Sequence, residues 1–200
     1  MSDAAILVPF IAFCIAMTGT PGPNNMMVLA VVSRHGVLGA MPLVAGIAVG
    51  SALQMAAVGG GIGATIVTRP SLQVVLQVAG SAFLAWIAIQ IARSGPLDIG
   101  REDRLRLVGF PGGAGFQWIN PKAWAVTTGA AATYLPEAST PMDIGIASVV
   151  LALSAMTTLL VWAVCGSVLR RFLQVPRHAK IFTLSAAALL LLSIIALFVA

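Results

Sequence analysis

No continuous α-helix can cross Gly19-Thr20-Pro21-Gly22-Pro23-Asn24-Asn25, a stretch set between two apolar runs, 6–17 and 26–32. Its two prolines remove backbone donors, exclude helical geometry from the residues before them and bracket a flexible glycine. Both flanks are apolar enough for lipid. Within a bilayer, each freed amide or carbonyl costs several kcal/mol unless protein or water satisfies it. A break at that depth therefore implies a cavity lined by protein and reached by water.

That the flanks lie in a membrane follows from composition. Residues are 59% hydrophobic and 8% charged, with a mean hydropathy of +1.00, whereas a water-soluble domain carries about 25% charged residues. The length of 200 residues allows about six helices of ~20–25 residues joined by short loops, with no room for a soluble domain. The expected fold is an all-α integral membrane protein with a single transmembrane domain over 1–200. The formal charge of +5 reads as topology rather than nucleic-acid binding, because the basic residues flank apolar spans with no aromatic platform among them. The start, Met1-Ser2-Asp3, lacks the positive region and cleavage site of a signal peptide and reads as a retained first span. Cys14 and Cys165 fall inside apolar spans without CxxC spacing or a neighbouring His or acid, and read as packing residues rather than metal ligands.

The spans are expected at about 4–32, 38–67, 72–91, Gly112 or Gly115 to Tyr134, 144–169 and 181–200. Ser33-Arg34-His35-Gly36 makes the first polar turn, and the run to Arg106 is the most charged stretch. In span 2, Gly46-x-x-x-Gly50 and Gly59-x-x-x-Gly63 permit close backbone approach, which suits packing within the bundle and also a homodimer. Arg34, then Arg93, Arg101, Arg104 and Arg106, then Arg170, Arg171, Arg177 and Lys180 occupy alternate loops, against Arg69 alone in the others. The positive-inside rule makes the basic loops cytoplasmic, puts both termini on the non-cytoplasmic side and requires an even number of spans.

All 6 acidic residues fall in termini or loops, which leaves Lys122 as the formal charge inside a span, a functional pointer by default. It follows Asn120-Pro121, a helix-breaking pair in span 4, as Asn24 follows Pro21-Gly22-Pro23 in span 1. Breaks in corresponding places three spans apart describe two inverted three-helix repeats, about 1–95 and 108–200, with the binding site between discontinuous helices. Half-helix N-termini after the prolines would offer free N–H groups and a positive dipole end to a carboxylate. Lys122 would add a full charge, and Asn24, Asn25, Gln117 and Asn120 neutral donors and acceptors. A zwitterionic amino acid suits such a site; a dibasic one does not, since no carboxylate is placed in a span. Pro21, Gly22, Pro23 and Pro121 would shape and hinge the half-helices. Gln54, Gln73, Gln77 and Gln90 read as hydrogen-bonding groups between helices, and His35 and His178 as solvated loop residues.

These residues resemble the LysE/RhtB family of amino-acid exporters along nearly the whole chain. The resemblance is carried by Thr20-Pro21-Gly22-Pro23-Asn24, Gly36 and Gly39, Gly46 and Gly50, LQVAGSAFL at 76–84 and GFQWINPK at 115–122. The Asn24-Asn25 doublet and the compact charged loop are most similar to the branch containing the cysteine and O-acetylserine exporter. The resemblance implies a six-helix carrier in the cell inner membrane that exports amino acids by antiport with the proton gradient and needs no cofactor. Phe83 stands where family members often carry Tyr. With no carboxylate in a span, Lys122 is the group that could titrate.

The expected function is a secondary active exporter of small neutral or polar amino acids, working by alternating access of the two halves. The alternative is a non-transporting membrane scaffold or assembly protein that uses the glycine faces. An enzyme is not expected, because the spans hold no nucleophile with a base in reach. Metal efflux would ask for His, Cys or acidic clusters.

Overall fold

The first helix, α1 (Ala4–Gly19), makes its last helical bond at the break, from Thr20 N–H to Ala16 O. The chain then passes through Gly22 in a fully extended conformation, φ −177° and ψ −179°, and re-enters helix at Pro23. Proline suits that first helical position, where no N–H is needed. The segments on either side, Ala4–Gly19 and Pro23–Ser33, meet at a bend of 56°. The computed structural model describes residues 4–62, 109–136 and 138–172 and positions 69, 71, 74, 75, 78, 81, 82, 85, 89, 177, 180, 181, 184, 185 and 188.

Helix α2 (Pro23–Ala57) has two limbs joined at Gly36, whose φ of 73° lies in the left-handed region that glycine tolerates. Where a polar turn over Ser33–Gly36 was expected, a single-residue corner joins the limbs, because one positive-φ glycine redirects the helix without a loop. The first limb is enclosed: Met26 through Ser33 are all buried, as an all-round apolar helix demands. The second limb reaches a short π-turn, Val58–Ile62, with Gly61 at φ 103°.

Span 4 is broken as expected, into α3 (Phe110–Ile119) and α4 (Pro121–Tyr134), with Asn120 extended between them. α3 starts earlier than Gly112, at Phe110, because Gly109 is extended and Pro111 favours a first helical turn. α5 (Pro141–Phe172) also starts earlier than expected. Thr140 Oγ1 accepts from Asp143 N–H at 3.2 Å, while the Asp143 carboxylate accepts from the Thr140 amide and hydroxyl at 3.0 and 2.7 Å. This reciprocal cap begins the helix three residues before Ile144, and it moves Asp143 from the expected loop into a first helical turn, where a negative charge complements the dipole.

His35–Ile62 and Pro141–Val168, of 28 residues each, are long and apolar enough to cross a membrane, and the bent pair in span 1 makes a third if counted as one span. The described residues are thus all helical in their regular elements. Spans 3 and 6, the loop 93–106, Gly63, Phe83, Gln73, Gln77, Gln90 and His178 lie largely or wholly outside the described residues.

Among the described residues two main apolar clusters hold the helices together, with a small third one at Val58 and Trp124. One gathers Met26–Val32, Leu43 and Ile47 of α2, Phe116 of α3 and Leu159 and Ala163 of α5. The other gathers Phe10 and Cys14 of α1, Met55 of α2, Val126 and Ala130 of α4 and Ala147 and Leu151 of α5. Cys14 is a packing residue, whereas Cys165 is exposed on α5 rather than packed. The α2–α3 contact is made through glycines. A Cβ on Gly46 would overlap the Phe110 carbonyl, one on Gly50 would lie 2.6 Å from Ala114 O, and one on Gly113 would lie 2.7 Å from Leu43 O. The Gly46–Gly50 face is therefore occupied inside the chain, which removes it as a surface for a second copy. Val49 and Leu53 of α2 and Val149, Leu153, Val161, Val164 and Val168 of α5 point outward, as side chains facing lipid do.

Candidate functional site

A helix end leaves its last carbonyls without partners, and at α1 four side chains supply donors, beginning with Thr20 Oγ1, which donates to Met17 O at 2.9 Å. Asn25 Nδ2 donates to Thr18 O, Gly19 O and Thr20 O at 3.3, 3.5 and 2.9 Å. Trp162 Nε1, from α5, donates to Gly19 O at 3.0 Å. The Lys122 ammonium donates to Thr20 O at 2.8 Å, Thr20 Oγ1 at 2.9 Å and Pro21 O at 3.3 Å. A cation from the second break thus sits at the negative end of the helix that the first break terminates. Gly22 makes room for it: a Cβ there would stand 2.8 Å from Lys122 Nζ.

The second break is closed by its own asparagine. Asn120 Oδ1 accepts from the Lys122 amide at 3.1 Å and so caps α4. Asn120 Nδ2 donates to Asn24 Oδ1 at 3.2 Å. Asn24 and Gln117 form a reciprocal amide pair, each Nδ2 or Nε2 donating to the other's oxygen at 3.1 Å. Ser51 Oγ reaches Gln117 Oε1 at 3.5 Å, and Gln54 Nε2 donates to Gln117 O at 2.8 Å. An amide network of this kind, buried between apolar clusters, is stronger than the same bonds in water and costly to leave half-made.

Asn24, Asn25, Gln117, Asn120 and Lys122, all expected at the site, line one cavity with Gly22 and Pro23. Pro21 contributes its carbonyl to Lys122, and Pro121 opens α4. The cavity, about 40 Å³, has room for a water or two and is well below the ~300–1,000 Å³ of ligand pockets. Two expectations change. The half-helix N-terminus after Pro121 is not free, because Asn120 caps it, whereas the one after Gly22 carries no side-chain cap. Lys122 is not a free charge either, being bound to the carbonyls of the first break.

Thr18, Ser51, Gln54 and Thr127 also line the cavity, and none was singled out as a site residue. Thr18 receives a bond from Thr158 Oγ1 of α5 at 3.1 Å. A signal existed for Gln54: with Gly46 and Gly50 it forms an i, i+4 stripe, so the residue that packs by glycine against α3 continues into one that bonds to it. The expectation that Gln54 bonds between helices is met by Nε2, while its Oε1 has no partner. Among the described residues no three His, Cys, Asp or Glu side chains converge.

The family model for LysE type translocators matches residues 15–200. The chain is 28% identical over 167 residues to a cysteine/O-acetylserine efflux protein of Klebsiella pneumoniae, covering 83% of this chain and 84% of the relative. It is 28% identical over 168 residues to the protein of the same name from Salmonella typhimurium, covering 83% and 85%, and 27% identical over 178 residues to that from Escherichia coli, covering 88% and 90%. No solved structure matches the chain.

Proposed function

The chain belongs to the family of LysE type translocators, and from that premise we propose that it is a secondary exporter of small neutral or polar amino acids, such as the cysteine and O-acetylserine of its relatives' names. The observation that carries this reading is the bond from Lys122 Nζ to the carbonyls of Thr20 and Pro21. It joins the two breaks by a group that a carboxylate can take over.

Loading follows from that exchange. The Lys122 ammonium and the uncapped N-terminus of α2 make the cavity's positive end. An entering carboxylate competes with the α1 carbonyls for Lys122 and so frees the end of α1. A cavity of about 40 Å³ has to widen to admit the rest of the ligand, and parting of the two breaks supplies the space. A ligand shifts such an equilibrium only through its different affinity for the two states; here the difference is the contact Lys122 makes in each. Among the described residues no Asp or Glu lines the cavity, so in this reading a proton gradient acts through Lys122. The two inverted halves rock about the breaks, with both termini on the non-cytoplasmic side of the inner membrane. The support is that α1 packs with α4, and α2 with α3, in the two clusters, pairing the half before each break with the half after the other.

Counterflow of labelled amino acids in proteoliposomes, run against a panel of common amino acids with and without a pH gradient, tests the reading. Lys122→Ala and Asn24→Ala should lose at least about tenfold of the wild-type rate while remaining folded, as expected for hydrogen bonds to charged groups. Wild-type rates in both variants would remove the site. A scaffold protein would show neither exchange nor thermal stabilisation by any amino acid.

A further inference from the structure

We infer that Gln54 Oε1 accepts a hydrogen bond from the substrate's ammonium group. The assignment rests on the amino-acid reading above and adds the partner for the end of the zwitterion that Lys122 does not hold. Gln54 is fully buried on α2 and lines the cavity with Asn24, Asn25 and Lys122. The bond from Nε2 to Gln117 O, at 2.8 Å, fixes the orientation of the amide, since a flipped amide would set two oxygens against each other. Oε1 is then left buried without a hydrogen-bond partner. Buried acceptors are nearly always paired, so an orphan on a residue that lines a cavity points to a donor from outside the chain, a water at rest and a ligand group in its place. Among the described residues the other such atom is Ser81 Oγ, which does not line this cavity.

The neighbouring groups narrow the choice of donor. Gln117 Oε1 already accepts from Asn24, Asn24 Oδ1 from Gln117 and Asn120, and Asn120 Oδ1 from the Lys122 amide. The donors suited to a carboxylate, the uncapped α2 N-terminus and Lys122 once it leaves the α1 carbonyls, lie at one end of the cavity. An ammonium group has three donors and no acceptor, and among the described residues no carboxylate lines the cavity to receive it. The unpaired carbonyl oxygen of Gln54 is the complementary group. Two features of one molecule, an anion and a three-donor cation, would thus be read by two different spans.

The test compares L-cysteine with 3-mercaptopropionate, which keeps the carboxylate and thiol and lacks the ammonium, as competitors of labelled L-cysteine counterflow by the full chain in proteoliposomes. Wild type should prefer cysteine. Gln54→Met, which keeps the bulk and removes the acceptor together with the Nε2 bond to Gln117 O, should raise the KM for cysteine about tenfold and, as the mark of the lost acceptor, cut the preference by a similar factor. Gln54→Glu, whose protonated acid keeps both a donor for Gln117 O and an acceptor oxygen, should hold the preference. If Met is not accepted in the fold, the Glu variant carries the test alone, and a fall in its preference overturns the assignment. Equal recognition of both ligands by wild type also overturns it, as does an unchanged preference in Gln54→Met. Absence of exchange of any common amino acid by wild type would instead sink the exporter reading itself.

Discussion

Gly22 shows how one missing side chain can serve a charge elsewhere in the chain. Its backbone is extended, a conformation open to any residue, so Gly22→Ala adds no strain to the fold. The new Cβ would instead stand 2.8 Å from Lys122 Nζ. The variant should therefore melt within about 1 kcal/mol of wild type, in the range of a Gly-to-Ala change at an N-cap. Its counterflow rate should fall about tenfold, as befits displacement of a charged hydrogen bond; an equal loss of folding and transport would argue against the latch. Asn25 predicts the opposite pattern. Its amide serves three carbonyls at the end of α1, so Asn25→Ala should cost about 1–3 kcal/mol of thermal stability in detergent, the penalty of leaving buried acceptors unpaired. In any protein still folded, the loss of stability should outweigh the loss of exchange, the reverse of Gly22→Ala.

Among the elements, the contact between α2 and α3 is the tightest in backbone terms. Gly50→Ala would press a methyl against Ala114 O and against Gln117 Cγ, 2.8 Å away. Backbone cannot swing aside as a side chain can, so a loss of about 1–3 kcal/mol or more is expected, together with a disturbed Gln117 amide. Gly115 and Gly129 have nothing within 4 Å of the corresponding Cβ, and alanine there should be neutral or stabilise by about 0.5–1 kcal/mol through helix propensity. Thermal unfolding of the three variants separates packing from propensity. At the start of α5, Thr140→Ala removes a reciprocal cap remote from the cavity. It should cost about 0.5–2 kcal/mol and leave the KM unchanged. Both breaks were legible beforehand because proline acts on its own neighbours. The early starts of α3 and α5 are not legible in the same way, because Gly-Phe-Pro and Thr-Pro suit a loop and the first turn of a helix equally well.

Across the whole molecule, a polar seam separates two apolar clusters, and α5 packs into both, through Leu159 and Ala163 on one side and Ala147 and Leu151 on the other. α5 also holds the end of α1 by Trp162 Nε1 to Gly19 O and Thr158 Oγ1 to Thr18 Oγ1. Trp162→Phe with Thr158→Val removes both bonds while leaving the cavity's amides alone, and should change the maximal exchange rate several-fold more than the KM. The reverse split would place those residues in ligand capture. The membrane class and the set of polar residues that meet could be read from residue types alone, since Asn24, Gln117, Asn120 and Lys122 are costly in lipid unless gathered. Which of them bonds to which could not, because Lys122 ends on Thr20 and Pro21, about a hundred positions away, by packing rather than by pattern.

The enclosed limb of α2 bears on how the protein is made. Met26–Ser33 is covered by Phe116 of α3 and by Leu159 and Ala163 of α5, walls that leave the ribosome long after it does. Domains assemble from the N-terminus as they are synthesised, yet this segment has no finished surroundings to enter. The first span, already broken by Pro21-Gly22-Pro23, must therefore wait in a provisional setting and take its final enclosure only when the last of its walls arrives.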